Sequence, residues 1–239
     1  KLIKKNYLED LNNSNKPFII YKSGKGFDLY KDFSKKIILT NKNIEKFINK
    51  SIKLKSKNKE TDLFIGFFGY EILNNLIGVK IKKQKVLKFP KGIFYKPETK
   101  IKFSKELNYK PLKIIKSNKV FKINLNNRSY EKIFNKFKKR IKAGETYQIK
   151  ICTKYKNSSQ IDALDFFCRL VKSNMAPEAF MIKDKNYSII SCSPENLITK
   201  KGNYITTKPI AGTLKKSKNL NKQKALAFFK KNIKETKEH

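Results

Sequence analysis

Histidine is almost absent from this chain of 239 residues, because His239, the final residue, is the only one. A Ser-His-Asp or Cys-His nucleophile system needs an imidazole base, and a zinc site built on two histidines needs a second one. The sequence therefore excludes these sites within the chain. Any chemistry has to come from carboxylates, amides, hydroxyls, lysines and metals that are bound through oxygen.

The scarcity of cysteine and the lack of long apolar segments indicate the cellular compartment. The three cysteines, Cys152, Cys168 and Cys192, form no C-x-x-C pair, and their odd number cannot close a complete set of disulfides. This usage is typical of a reducing compartment, so we expect a cytoplasmic protein. No segment reaches the roughly 18 consecutive apolar residues of a membrane span. We therefore predict no membrane partner.

Arginine is rare although cations are abundant. The formal net charge is +38, and a folded surface with that many cations can bind phosphate by releasing counterions. Only Arg128, Arg140 and Arg169 among the 57 basic residues are arginines, whereas readout of phosphates and bases favours the planar guanidinium fork. We predict a solvated lysine-rich surface and no nucleic-acid partner. A lysine-rich nucleic-acid-binding module stays the distant alternative, and it requires lysines on one continuous face.

Apolar patterning divides the chain into two predicted regions. Hydrophobic residues make up 39% of the sequence, which is enough material for one or two cores. Residues 1–122 read as β-rich, with short apolar runs at 18–21 and 36–39 between polar clusters. In the apolar segment 62–73, Gly66 and Gly69 permit close approach of backbones. Residues 123–239 read as alternating helices and strands.

The second region has the clearer periodicity. Apolar residues at helical spacing predict a helix from residue 127, with Ser129 as its N-cap and Gly144 past its end. Alternation over 147–155 predicts a strand that turns Gln148 away from the apolar row. A helix over 162–171, hairpins over 179–192 and 196–208, and a helix over 221–231 follow. This order predicts the α+β class, with helices covering antiparallel sheets.

Two short motifs flank the second predicted hairpin. Residues 192–195 read Cys-Ser-Pro-Glu and residues 208–213 read Lys-Pro-Ile-Ala-Gly-Thr. Both motifs come at strand ends, so Glu195 and the Gly212–Thr213 loop are expected to face one pocket. A glutamate next to a proline has little freedom, and a general acid needs a fixed pose. We expect Glu195 to be buried, because burial raises a carboxyl pKa and keeps its proton near neutral pH.

These motifs resemble the SPE and PIAGT signatures of the chorismate-utilising enzymes, which include anthranilate synthase component I, aminodeoxychorismate synthase component I, and the isochorismate and salicylate synthases. Residues 66–71, 143–149 and 234–239 resemble further family segments in the same order. The resemblance implies the family's amino-terminal region in residues 1–122. It also implies the first half of the chorismate-binding domain in residues 123–239, as a partial α/β/β/α four-layer sandwich. A further block, with a second magnesium carboxylate and a catalytic histidine, would follow, so residues 1–239 alone are expected to be inactive.

The resemblance also implies residue roles. Glu195 would be the general acid that protonates the departing C4 hydroxyl of chorismate, and Gln148 would orient the incoming ammonia. Glu238 would be one carboxylate ligand of Mg²⁺. Ala211, Gly212 and Thr213 would form the loop that contacts the substrate. Since the water-adding isochorismate synthases carry a lysine in place of Gln148, the glutamine favours amination, with a glutamine amidotransferase subunit as the partner that supplies ammonia.

The motifs do not choose between two subfamilies, which form different products. Many aminodeoxychorismate synthases have a nucleophilic lysine at the position of Ala211, so alanine favours anthranilate synthase component I, which forms anthranilate and pyruvate on the route to tryptophan. The segment 189–191, Ile-Ile-Ser, instead resembles the aminodeoxychorismate group of the folate route. The Leu-Leu-Glu-Ser motif of the tryptophan feedback site is absent near residues 27–30. Aminodeoxychorismate synthase component I therefore stays the alternative.

Overall fold

A six-stranded antiparallel sheet forms the centre of one of two units in the computed structural model of this chain. The structure describes residues 7–51, 60–70, 72, 77–78, 90–103, 107, 109, 120–210 and 212–238. The unit with the sheet comprises residues 1–110 and 163–239, and the second unit comprises residues 111–162.

The described elements are a mixture of helices and strands. In order they are α1 (Tyr7–Asn13), β1 (Phe18–Ser23), β2 (Gly26–Ile38), α2 (Ile44–Ser51), β3 (Ile65–Phe68), β4 (Gly92–Phe103), β5 (Lys122–Ile123), α3 (Asn127–Lys142), β6 (Tyr155–Lys156), α4 (Ala163–Asn174), β7 (Glu178–Lys183), β8 (Ser188–Ser193), β9 (Thr199–Lys201), β10 (Tyr204–Thr206), α5 (Lys222–Lys231) and α6 (Ile233–Glu238). The predicted α+β class is confirmed.

The six-stranded sheet joins parts of the chain that are far apart in sequence. Its strand order is β3-β4-β2-β1-β7-β8, and every neighbouring pair is antiparallel. In the centre, β1 pairs with β7 in a register that places Ile20 opposite Met181. The sheet thus contains strands from both sides of the predicted boundary at residues 122/123, and the boundary itself stays a prediction.

Both faces of the sheet are covered with apolar side chains. Because successive side chains of a strand point to opposite faces, Phe18 and Ile20 of β1 enter one core cluster and Ile19 enters another. The first cluster contains Leu164 and Phe167 from α4 together with residues of α1, so helices cover this face. The second cluster contains Tyr95 and buried aliphatic residues of β1, β4 and β7. A smaller cluster forms around Leu39.

The two predicted hairpins of the second region are confirmed. β7 and β8 pair across a turn at residues 184–187, and β9 and β10 pair across Gly202. The predicted terminal helix is α5, and the side chain of Asn221 accepts a hydrogen bond from the amide of Lys224 as its N-cap. Cys152, Cys168 and Cys192 are thiols and form no disulfide, and burial raises the pKa of the Cys192 thiol. Within the described residues, no helix is both long and apolar enough to cross a membrane.

In the second unit, two predictions are wrong. The N-cap of α3 is Asn126, whose side-chain oxygen accepts from the amide of Ser129, so the predicted cap is three residues too late. Among the described residues, the predicted strand over 147–155 is formed only at its end, where Tyr155 and the following Lys156 pair with the short strand β5. Alternation alone does not make a strand: residues 147–154 lie outside regular strands, and Tyr147 is 86% exposed.

Candidate active site

The predicted general acid lies in a tight turn directly after β8. The Ser193 hydroxyl donates a hydrogen bond to the carbonyl oxygen of Glu195 at 2.7 Å and accepts one from the Glu195 amide at 3.3 Å. Serine hydroxyls commonly close such turns two residues along, and Pro194 between them restricts the backbone further. The predicted lack of freedom at Glu195 therefore has a local cause. The predicted burial is wrong, since Glu195 is exposed.

A second carboxylate lies beside this turn. Glu178 begins β7 and is paired in register with Ser193, so it sits at the same end of the β7–β8 hairpin as Glu195. Its Oε1 accepts a hydrogen bond from the side-chain amide of Asn196 at 3.2 Å, and its Oε2 accepts one from the Tyr21 hydroxyl at 2.6 Å. Burial, followed by these contacts with Glu178, raises the pKa of Tyr21 to about 12, so the hydroxyl keeps its proton as a donor.

The Gly212 loop packs against a third carboxylate. A Cβ built on Gly212 would overlap the carboxylate of Glu235, which comes from α6, so only glycine leaves this space to Glu235. Oε2 of Glu235 is buried and has no hydrogen-bond partner, while Lys234 Nζ lies 3.6 Å from Oε1. The sequence predicted close approach of a ligand to Gly212. The structure places the chain's own carboxylate there.

Gln148 belongs to the second unit. It lies in the irregular segment between α3 and β6, where the Thr146 hydroxyl donates to its carbonyl oxygen at 3.3 Å, and it is exposed. The preceding helix α3 ends at Lys142, and Gly144, two residues later, has a φ of +76°, which favours glycine. An ion pair of 2.5 Å between Arg140 and Glu145 holds the corner that follows. These contacts fix the start of the Gln148 segment.

The other predicted residues are placed only in part. Thr213 is exposed and lies outside regular structure. Glu238 ends α6, three residues after Glu235. Ala211 lies outside the described residues. In the parts of the chain that the structure describes, no group of three or more His, Cys, Asp or Glu residues lies close enough together to hold a metal ion.

Sequence reasoning missed Glu178, Tyr21 and Glu235. Glu235 was within the motif of residues 234–239, where a carboxylate three residues before Glu238 is the available signal. Glu178 lies in none of the sequence motifs. Its relation to Glu195 depends on the register of β7 and β8, and its relation to Tyr21 depends on a pairing between strands separated by more than half the chain.

A family model described as chorismate binding enzyme matches residues 7–239. This chain belongs to that family. The match confirms the membership that the SPE and PIAGT motifs predict, and it extends over residues of both units.

Relatives of two kinds align with parts of this chain. An anthranilate synthase component I-like protein of Synechocystis sp. is 33% identical over 113 residues, which is 46% of this chain and 23% of the relative. Aminodeoxychorismate synthase component 1 of Bacillus subtilis is 30% identical over 98 residues, 41% of this chain and 21% of the relative. Anthranilate synthase component 1 of Buchnera aphidicola subsp. Pemphigus spyrothecae is 33% identical over 102 residues, 42% and 19% respectively. The alignments thus cover about a fifth of these relatives, and similar identities do not separate the two kinds.

Proposed function

We propose that this chain is the chorismate-binding subunit of an aminating synthase, anthranilate synthase component I. The observation that supports it is the Glu195 turn. In a chain of the chorismate-binding family, the exposed residue Glu195 follows β8. Its backbone amide and carbonyl are both hydrogen-bonded to the Ser193 hydroxyl. Such a group can meet a substrate in a reproducible pose, which proton transfer requires.

In the proposed reaction, chorismate loses its C4 hydroxyl and gains nitrogen at C2. Glu195 donates a proton to the C4 oxygen, which leaves as water while the ring double bonds shift. The side-chain amide of Gln148 orients ammonia by hydrogen bonds, and the nitrogen forms its bond at C2. One proton of the bound nitrogen restores the Glu195 carboxyl. In a second step the ring loses its C2 proton and the C3–O bond breaks, so that the enolpyruvyl group takes up a proton and leaves as pyruvate, and the aromatic ring of anthranilate remains.

Mg²⁺ would supply positive charge that holds the ring carboxylate of the substrate. We propose Glu238 as one of its ligands. The donor chemistry of α6 fits, since Mg²⁺ takes one or two carboxylates together with water and substrate oxygens. The buried Oε2 of Glu235, three residues before Glu238, has no hydrogen-bond partner, and a cation is one group that would satisfy it.

The remaining features of this proposal follow from the family. The complete catalytic domain would be a four-layer α/β/β/α sandwich, to which the described sheets and helices contribute. A glutamine amidotransferase subunit would be the partner that supplies ammonia, and the protein would act in the cytoplasm. Ala211 favours anthranilate as the product.

Aminodeoxychorismate synthase component I is the second candidate. It is supported by residues 189–191 in β8, which resemble that group, and by relatives with this name from Bacillus subtilis and Salmonella typhimurium. The product distinguishes the candidates, because anthranilate formation releases pyruvate whereas aminodeoxychorismate retains the enolpyruvyl group.

The test uses the complete protein with chorismate, Mg²⁺ and ammonium, and separates the products by chromatography. We expect anthranilate and pyruvate in equal amounts. Glu195→Gln should lower kcat by about 10²–10⁴ with little change in KM, because it removes the transferable proton and keeps the shape. Glu98→Gln, on an exposed position of β4, is the matched control. Full kcat in Glu195→Gln would exclude the acid role, and unchanged chorismate in the wild-type reaction would exclude the function.

A further inference from the structure

A row of hydrogen bonds connects the central strand of the sheet with the Glu195 turn. Tyr21 in β1 donates to Glu178 Oε2, and Asn196, the residue after Glu195, donates to Glu178 Oε1. An ionised carboxylate only accepts hydrogen bonds, so Glu178 can hold both donors at once. Hydrogen bonds to a charged acceptor are also the stronger class.

The strand register explains why Tyr21 reaches Glu178. In the β1–β7 pair, Tyr21 lies opposite Phe180, so Glu178 is its diagonal neighbour two residues away on the same face. In the β7–β8 pair, Glu178 lies opposite Ser193, the residue that closes the turn. One side chain therefore sits between the core of the sheet and the turn.

The backbone before Glu178 is held by the same strand. Lys22 donates from Nζ to the carbonyl oxygen of Ala176, 154 residues further along the chain. Just before it, Met175 has a φ of +48°, a left-handed conformation that is unfavourable for a residue other than glycine. Because Ala176 is buried and its carbonyl is bound, the connection that delivers Glu178 has a fixed course.

We propose that Glu178 is a positioning residue that fixes the turn at residues 193–196, and with it the direction of the Glu195 carboxylate, through the hydrogen bond from Asn196. The inference rests on the proposed role of Glu195. Glu178 itself takes no proton from the substrate and donates none. It holds one end of the turn, whereas Ser193 holds the interior.

The arrangement gives a specific reason for each residue type. Asparagine at 196 supplies an N–H donor without a charge, and a carboxylate there would oppose Glu178 at close range. Glutamate at 178 accepts from two sides. If glutamine replaced it, one of its two terminal atoms would be an N–H donor, which would suit an aspartate at position 196 and leave the oxygen for Tyr21.

This reciprocity defines an exchange experiment in the complete protein. Asn196→Asp should lower kcat roughly 10- to 100-fold with little change in KM, because repulsion from Glu178 moves the turn and small displacements of a catalytic group are costly. Adding Glu178→Gln to Asn196→Asp should restore kcat to within about threefold of wild type, because interacting sites are not additive. Asn203→Asp, in the exposed β9–β10 turn, adds the same charge as a control.

A structural role alone would change the melting temperature and not separate kcat from KM. The double variant retains the new carboxylate beside Glu195, so recovery shows that the position of the turn, and not the added charge, governs kcat. If the wild-type protein is active and Glu195→Gln is not, but Asn196→Asp equals wild type or the double variant is no better than the single one, the positioning proposal is wrong while the proposed function stands.

A second measurement is independent of turnover. Hydrogen–deuterium exchange of the backbone amides of Ser193 and of residues 195–197 reports how firmly the turn is held. Exchange should be faster in Asn196→Asp than in wild type or Asn203→Asp, and it should return to the wild-type rate in the double variant. Unchanged exchange in Asn196→Asp would overturn the proposal whether or not the protein consumes chorismate. If the wild type does not consume chorismate, only the proposed function fails.

Discussion

Tyr95 donates its hydroxyl hydrogen to Oδ2 of Asp184 at 2.5 Å, although 89 residues separate the two in sequence. Asp184 is only 8% exposed and begins the turn between β7 and β8. It also accepts hydrogen bonds from Lys36 Nζ at 2.5 Å and from the Lys185 amide at 2.7 Å. This carboxylate therefore ties β2 and β4 to the hairpin whose other end carries Glu195.

The pKa shifts of this pair predict how stability depends on pH. Burial alone would raise the pKa of Asp184, but hydrogen bonds from Lys36 and Tyr95 outweigh it and hold this pKa below its ordinary value. Its contribution is therefore present above about pH 4 and is lost as the pH falls toward the lowered pKa. Burial and the bond to Asp184 raise the pKa of Tyr95 far above its ordinary value. That contribution is complete below about pH 10 and is lost as the pH rises further.

Tyr95→Phe should lower the free energy of unfolding at pH 7 by about 1–3 kcal/mol, because it leaves a buried acceptor with one donor fewer. It should also flatten the decline of stability above about pH 10, since the hydroxyl is gone. Urea unfolding at several pH values measures both effects. Tyr70→Phe, at an exposed position, should change neither. Equal stability of Tyr95→Phe and wild type would contradict the assigned role of this bond.

Gly66→Ala should destabilise the edge of the sheet. A Cβ at Gly66 would overlap the backbone carbonyl of Ile93 in the neighbouring strand β4, and backbone cannot rotate away as a side chain does. Overpacking of this kind costs about 1–3 kcal/mol or more. Gly24→Ala is the comparison, because its φ of +60° imposes backbone strain without any contact. In thermal unfolding, we expect the larger loss for Gly66→Ala.

Gly212→Ala should separate stability from activity. The group that a Cβ would displace is the end of the Glu235 side chain, which can move, so the melting temperature should change little. If the Gly212 loop and α6 hold Mg²⁺ and chorismate as proposed, the displaced carboxylate should raise the Mg²⁺ concentration needed for half-maximal turnover several-fold. A titration of turnover with Mg²⁺ measures this. A Mg²⁺ dependence identical to wild type would place Glu235 outside the metal site.

Gln148→Lys tests the choice of nucleophile. A lysine can remove a proton from water, whereas an amide can only orient ammonia, so the variant should lose at least tenfold in ammonia-dependent turnover. Gln160→Lys adds the same charge at an exposed position of the same unit and should leave turnover unchanged. Retention of full amination by Gln148→Lys would remove Gln148 from the proposed mechanism.

The helices and hairpins of the second region could be predicted from sequence because their causes are local. Apolar residues at helical spacing predict α4, and polar turns predict the β7–β8 hairpin and the β9–β10 hairpin at Gly202. Each signal lies within a few residues of the element that it predicts. Family membership could also be predicted, because the SPE and PIAGT motifs are short and contiguous. The N-cap of α3 was the exception. Asparagine and serine are both favourable N-cap residues, and in the structure the helix begins directly after Asn126, so Ser129 lies within its first turn.

The exposure of side chains and the contacts between distant strands were decided by the tertiary structure alone. The sequence alone determined that Glu195 lies in a restrained turn and that this chain has the motifs of a chorismate-binding enzyme. It did not determine that the carboxylate is exposed, that residues 147–154 lie outside regular strands, or that Glu178 links Tyr21 with Asn196. Burial and strand pairing are properties of two segments together, and the register that aligns them is set by packing across the whole sheet.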